Sequence, residues 1–179
     1  MKILKNMLDI KLNLRTQQNF PINGVEFIDI NPLILQGDVY NEIIDKIYDE
    51  LKDKQIDYIV SPEARGFVFG SIIANKLGIG MIPVRKQGKI PPNHVECSFE
   101  SEKEYGKDIL ELPKLVNNDY KNKNIYIIDD IYATGNTIKS IANALNKMNA
   151  KVVGIGVVIN IKNLNLNEGI FSLIDIEEE

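Results

Sequence analysis

The sequence NIYIIDDIYATGNT occupies residues 124–137 and joins three different signals. Its first part, Asn124 to Asp129, is apolar and β-branched, which is typical of a buried strand. A second acid and a loop of small residues follow, and apolar residues then recur at helical spacing from about Thr137 to Met148. We therefore predict a strand, a loop and a helix in this order.

The same alternation recurs along the rest of the chain. The further predicted elements are a helix at Asp38–Lys54, a strand at Ile56–Val60, a loop at Ser61–Gly66, a helix at Phe67–Leu77 that Gly78 ends, and strands at Met81–Val84 and Lys151–Ile159. Continuous apolar strands between helices indicate a parallel sheet that is covered on both faces. The chain of 179 residues is expected to form one domain, a doubly wound α/β fold with a mostly parallel sheet and helices on both faces.

Ligands of such sheets bind beyond the carboxyl ends of the strands, where the loops Ser61–Gly66 and Asp130–Thr137 both begin. The second loop suits a phosphate, because a helix N-terminus offers unpaired N–H groups and a partial positive charge. The candidate phosphate-binding residues are Ala133, Thr134, Gly135, Asn136 and Thr137. The adjacent Asp129 and Asp130 could accept hydrogen bonds from sugar hydroxyls or hold a magnesium water. These features together suggest a ribose phosphate.

A plainer interpretation of this loop stays open at this stage. Asp130 could cap a turn and Thr137 could cap the helix, so that the loop binds nothing.

A basic cluster follows the predicted strand at Met81–Val84. Arg85, Lys86 and Lys89 bring three positive charges within five residues, which suits a pyrophosphate, although surface charges are often merely solvated. The segment 85–116 is too long for a plain connection, and we interpret it as a mobile active-site flap or as a solvent-exposed hairpin.

Composition excludes several classes of function. With 21 basic and 25 acidic residues and a net charge of −4, the chain has no basic excess for general nucleic-acid binding. Single Cys97 and His94 residues exclude an intrachain disulfide and argue against a Cys/His zinc site. No apolar run approaches the ~20 residues of a membrane span, and the first residues lack a secretory signal, so a cytoplasmic location is expected.

The chain resembles the type I phosphoribosyltransferases, whose signature is a hydrophobic strand, two acids and a small-residue loop. Four further motifs look like those of the adenine phosphoribosyltransferases: FPINGVEFIDINPL at residues 20–33, EARGFVFG at 63–70, PVRKQGKIP at 83–91 and EYG at 104–106. The resemblance implies transfer of a phosphoribosyl group from 5-phosphoribosyl pyrophosphate to adenine, which gives AMP and pyrophosphate. It also implies magnesium bound to the sugar phosphate, a homodimer, and neither nucleic acid nor membrane as a partner.

The resemblance also implies roles for individual residues. Arg65, Arg85, Lys86 and Lys89 would bind pyrophosphate, and Asp129 and Asp130 would bind ribose hydroxyls and the metal, mainly through substrate or water. The segment 1–36 would contribute to the base site, which Val25, Phe27 and Ile28 would frame. Glu104 and Tyr105 would lie on the flap at 85–116, where the carboxyl group would assist proton movement on the purine. Glu104, Tyr105 and Arg65 are thus the expected catalytic residues.

Departures from the family pattern leave two alternatives open. Asn136 replaces a common glycine, Glu26 replaces an apolar residue and Ile28 replaces a basic one, and the last two lie near the expected base site. The enzyme could therefore use hypoxanthine, guanine or xanthine. A non-catalytic sensor of phosphoribosyl pyrophosphate that regulates purine genes is less favoured, because it would need a DNA-binding module or a basic face.

Overall fold

A computed structural model describes residues 14–20, 22–103, 106–161 and 169–176, without the side chain of Lys103. Two expected site residues, Glu104 and Tyr105, lie outside these ranges. Residues 1–13 and 21 of the segment 1–36 also lie outside them. The described helices are α1 (Asn31–Leu35), α2 (Gly37–Leu51), α3 (Arg65–Leu77) and α4 (Asn136–Lys147). The described strands are β1 (Arg15–Gln18), β2 (Glu26–Asp29), β3 (Tyr58–Pro62), β4 (Gly80–Lys86), β5 (Val95–Lys103), β6 (Gly106–Pro113), β7 (Asn124–Tyr132), β8 (Lys151–Ile161) and β9 (Phe171–Ile176).

A sheet with the strand order β5-β6-β4-β3-β7-β8-β9 forms the centre of the fold. The strands from β4 to β9 in this order are parallel, and β5 and β6 form an antiparallel hairpin at one edge. β1 and β2 form a separate antiparallel pair. The predicted α/β fold with a mostly parallel sheet is confirmed.

The surroundings of strand β7 explain why its residues are apolar without alternation. Tyr126 and Ile128 belong to the core cluster that also contains the buried residues of α2 and α3. Ile125 and Ile127 belong to a second cluster, which contains the buried residues of α4. Since successive side chains of a strand point to opposite faces, helices must cover both faces of the sheet.

The element bounds differ from the prediction at functionally important ends. β7 continues through Tyr132, because Ile131 and Tyr132 pair with Ile159 and Asn160 of β8. The expectation that the loop begins at Asp130 was therefore wrong, since both acids lie within the strand. Helix α3 begins at Arg65 rather than Phe67, and it ends before Gly78, whose φ of 69° is the expected left-handed termination.

The segment 85–116 contains an ordered hairpin. β6 extends the sheet from the end of β4, pairing Arg85 with Glu111 and Lys86 with Leu110. β5 packs against α4, which carries the predicted phosphate loop at its start. The strand pairing agrees with a hairpin, while the role of a mobile active-site flap and the solvent-exposed position both stay predictions.

No helix in the described part of the chain is long and apolar enough to cross a membrane.

Candidate active site

A cavity of ≈ 320 Å³ lies at the carboxyl end of β7. Its lining brings together the predicted acids, the predicted phosphate loop and Arg65 at the start of α3. The lining residues are Arg65, Glu102, Asp129, Asp130, Ile131, Tyr132, Ala133, Thr134, Gly135, Asn136, Thr137 and Ile138. Both predicted loops contribute to this lining, since Arg65 comes from the first loop and Asp130 to Thr137 come from the second.

The phosphate loop exposes the start of α4 to this cavity. Gly135 precedes the helix with φ 75° and ψ 5°, and no side chain caps the helix by a hydrogen bond. The alternative in which Thr137 is the N-cap was wrong, since Thr137 is the second residue of the helix. Uncapped N–H groups and the positive end of the helix dipole give this loop the properties of an anion site.

Asp129 and Asp130 lie side by side beneath the loop. The backbone N–H of Asp130 donates to Oδ1 of Asp129 over 2.9 Å. Asp130 is 3% exposed, and its Oδ2 lies 2.9 Å from Nε of Arg65 in an ion pair. Burial, reinforced by the neighbouring charge of Asp130, holds the pKa of Asp129 well above its usual range.

The same acids fit a magnesium ion only in part. Carboxylate oxygens are suitable ligands for this hard cation, but Oδ2 of the buried Asp130 already forms the ion pair with Arg65. Among the described residues, no three or more His, Cys, Asp or Glu side chains lie so that they could hold a metal ion together. Any magnesium would therefore take its remaining ligands from substrate and water.

A second cavity of ≈ 190 Å³ adjoins the first, with which it shares Arg65, Asp129, Asp130 and Thr137. Its other lining residues are Pro62, Glu63, Lys86, Asp108 and Leu110. Nζ of Lys86 lies 3.5 Å from Oδ2 of Asp108. The second cavity thus holds two cations, Arg65 and Lys86, together with four acids, which are Glu63, Asp108, Asp129 and Asp130.

The other predicted basic residues, Arg85 and Lys89, do not line this cavity. Arg85 forms an ion pair through Nε with Oε2 of Glu63, and its guanidinium lies 5.8 Å from the centre of the Phe67 ring. Lys89 is exposed on the turn after β4 and lines neither cavity. The structure therefore brings Arg65 and Lys86 to the site and leaves Lys89 apart.

The expected base-binding residues occupy three different environments. The Phe27 ring centre lies 5.6 Å from the guanidinium carbon of Arg65, and Phe20 packs edge-on against Phe27 at 5.1 Å. Val25 is half-buried, whereas Ile28 is 8% exposed and belongs to the core. Phe27 is thus beside the cavity, and the side chain of Ile28 is turned into the core.

Glu63, Glu102 and Tyr132 are among the lining residues that were not predicted. Glu63 could have been suspected as an acid within a motif that precedes an arginine, and Glu102 as a neighbour of the flap residues. Nothing in the sequence marks Tyr132 as a site residue, because it continues the run of apolar residues of the strand. Its proximity to the loop follows from the continuation of β7.

A family model described as the phosphoribosyl transferase domain matches residues 28–168. The adenine phosphoribosyltransferase of Clostridium acetobutylicum is 43% identical over 158 residues, which are 88% of this chain and 90% of the relative. Among solved structures, adenine phosphoribosyltransferase from Thermoanaerobacter pseudethanolicus has a TM-score of 0.86 and 34% identity, with 96% and 100% of the two chains covered. The Saccharomyces cerevisiae enzyme, complexed with an imino-altritol bisphosphate and adenine, has a TM-score of 0.81 and 33% identity, with 94% and 98% covered.

The match to the family model spans most of the chain and contains Asp129, Asp130, the predicted phosphate loop and the residues that line the second cavity. The solved relatives extend the similarity to nearly the whole fold. The chain therefore belongs to the phosphoribosyl transferase family.

Proposed function

We propose that this chain is a purine-salvage enzyme that transfers the phosphoribosyl group of 5-phosphoribosyl pyrophosphate to adenine, giving AMP and pyrophosphate. The observation that carries the proposal is the grouping of these residues in two adjoining cavities. The start of α4, which no side chain caps, and the two acids line one cavity, and the same acids line the other together with Arg65 and Lys86. These neighbouring groups suit the 5′-phosphate, the ribose and the pyrophosphate of one substrate. The relatives named as adenine phosphoribosyltransferases support adenine as the acceptor.

Each part of the site has a task in this displacement. The loop Ala133–Thr137 binds the 5′-phosphate, and Asp129 and Asp130 accept hydrogen bonds from the ribose hydroxyls. Arg65 and Lys86 bind the pyrophosphate. Arg85 and Lys89, which line neither cavity, are proposed to approach the pyrophosphate when it binds. Because positive charge develops on the ribose as pyrophosphate leaves, the basic side chains stabilise the leaving group.

Magnesium, bound mainly to substrate and water beside Asp129 and Asp130, would neutralise charge on the pyrophosphate. Asp130 is already paired with Arg65, so substrate binding must redistribute this ion pair. The acids then hold the ribose while Arg65 turns to the phosphate groups.

The acceptor base is placed on the side of Phe27. An aromatic ring beside the cavity offers a stacking surface for a purine, and Val25 adds apolar contact. Glu104, which follows β5 in the sequence, is proposed to assist proton movement on the purine, and Tyr105 to help cover the site. Glu102 of β5 lines the larger cavity, and Asp108 and Leu110 of β6 line the second one, so both strands of the hairpin lie close to the proposed substrates.

Family membership supports two further proposals, on assembly and on location. We propose a homodimer, in which Arg85 can reach the neighbouring subunit's site, and we propose that the enzyme acts in the cytoplasm on small-molecule substrates.

The role of Asp130 is tested by Asp130→Asn. Loss of a charged acceptor to the ribose is expected to lower kcat about 10- to 100-fold, since such hydrogen bonds contribute ~1.5–3 kcal/mol. The matched control is Asp57→Asn, because Oδ2 of Asp57 accepts the backbone N–H of Asn124 at the opposite end of β7. Steady-state kinetics and thermal unfolding of both variants give the comparison. Unchanged kcat in a folded Asp130→Asn variant would refute the assignment.

A further inference from the structure

Tyr132 is a cavity residue to which the proposed reaction assigns no task. It is the last residue of β7 and only 1% exposed, although its side chain contributes to the lining of the larger cavity. It belongs to the same core cluster as Ile138 and Ile141 of α4. Its ring is therefore fixed between the sheet, the helix and the loop that connects them.

The ring of Tyr132 fills the space beside Gly135. A Cβ atom added to Gly135 would lie 2.2 Å from Oη, 2.3 Å from Cζ and 2.7 Å from Cε1 of Tyr132. Real Cβ atoms do not approach other atoms so closely. Gly135 also has a φ of 75°, a backbone conformation that other residues rarely adopt. Two independent constraints thus place glycine here, and one of them is the tyrosine ring.

We propose that Tyr132 is a positioning residue for the 5′-phosphate, an inference that rests on the proposed function. Its ring supports the backbone of Gly135, the residue directly before α4. The orientation of Gly135 sets the direction of the first N–H groups of the helix, which bind the phosphate. Tyr132 therefore acts through the loop and makes no bond to substrate itself.

Further contacts hold in place the two segments that the ring joins, the strand on one side and the loop on the other. The backbone of Tyr132 pairs with Asn160 of β8, so the strand cannot retreat from the loop. On the other side, Nζ of Lys139 donates to the carbonyl of Thr134 over 3.0 Å and holds the loop to the helix. A smaller side chain at position 132 would leave Gly135 without support between these two fixed points, and the N–H groups would lose their common direction.

The test compares Tyr132→Leu with Tyr132→Phe. Leu removes the ring edge next to Gly135, and we expect KM for phosphoribosyl pyrophosphate and Kd for ribose 5-phosphate to rise on the order of tenfold, as misplacement of binding groups would produce. Phe retains the ring and should keep both constants within about twofold of wild type. Calorimetry with ribose 5-phosphate measures the loop without any turnover.

Tyr126→Leu is the matched control. Tyr126 is a buried tyrosine of the same strand, and its ring likewise fills the space beside Gly154, but it lines neither cavity. Its replacement should lower the thermal stability and leave the affinity for ribose 5-phosphate unchanged.

Three results would overturn the proposal. These are an unchanged Kd in a folded Tyr132→Leu variant, an equal loss of affinity in Tyr126→Leu, and an equal loss in Tyr132→Phe, which would assign the effect to the hydroxyl. Failure of the proposed function is distinguishable, because a wild-type protein that forms no nucleotide would still report on the loop through ribose 5-phosphate binding.

Discussion

At the scale of single residues, Asp129 and Asp130 put two carboxyl groups next to each other in a mostly buried position. Arg65 contacts Asp130 directly and thereby compensates one of the two charges. Asp129 is left with burial and a like charge as its main influences, and both raise its pKa. The free protein therefore resists ionisation of Asp129, and a bound sugar with hydroxyl donors would relieve this resistance.

This arrangement predicts that Asp129→Asn stabilises the free protein at pH 8. A carboxyl group whose pKa is raised on folding costs stability as the pH increases from its unfolded value, about 3.9, through its folded value. The variant removes that cost, so its Tm should exceed that of wild type, by roughly 2–4 °C per kcal/mol of repulsion removed. Near pH 4 the advantage should vanish, because Asp129 is then protonated in the folded protein. Thermal unfolding over this pH range measures it.

The control for this prediction is Asp49→Asn. Asp49 is exposed, and a hydrogen bond and charge from Lys52 lower its pKa, so its replacement should give no gain in Tm at any pH. A Tm of Asp129→Asn that equals or falls below the wild-type value at pH 8 would contradict the account of the acid pair.

The residues that line the cavities form two groups, those whose contacts lie within one segment of sequence and those whose contacts cross between strands. Asp129, Asp130 and the loop that follows could be predicted because strand, acids and helix start are consecutive in the sequence. The pairing of Glu63 with Arg85 could not, because it depends on β3 and β4 lying side by side, which also brings the N–H of Glu63 2.9 Å from the carbonyl of Val84. Contacts across neighbouring strands need the strand order as well as the sequence.

At the scale of elements, the hairpin of β5 and β6 contributes residues to both cavities. Asp108 of β6 lines the second cavity, and Glu102 of β5 lines the larger one. Movement of the hairpin would therefore alter both cavities. The alternation of half-buried Val95, Cys97 and Phe99 with exposed residues is the pattern of a strand with one covered face, and it could have predicted β5.

The proposed role of the hairpin predicts a specific effect of Glu104→Gln. Loss of a group that assists proton movement should lower kcat roughly 100-fold, with a small change in KM for phosphoribosyl pyrophosphate. Glu100→Gln is the matched control, because Glu100 lies on the same hairpin, is exposed and pairs with Lys107 over 2.8 Å. Steady-state kinetics with both substrates varied makes the comparison. Equal kcat values for the two variants would remove Glu104 from the mechanism.

At the scale of the whole molecule, the fold follows from helices on both faces of one sheet. Strands covered on both faces are apolar along most of their length, so β3, β4, β7 and β8 could be predicted from runs of apolar residues in the sequence. β1 and β2 are short and largely exposed or half-buried, and they gave no such signal. Strand order and the edge position of the hairpin also needed the structure, because they depend on contacts between distant segments.

The most direct test of the central claim is a product assay with a panel of bases. The purified protein is mixed with magnesium, phosphoribosyl pyrophosphate and, separately, adenine, hypoxanthine, guanine or xanthine, and the nucleotides are separated by chromatography. The account predicts magnesium-dependent formation of AMP from adenine, with little or no nucleotide from the other bases. A different preferred base would contradict the assignment of adenine, and binding of phosphoribosyl pyrophosphate without any product would contradict the assignment of an enzyme.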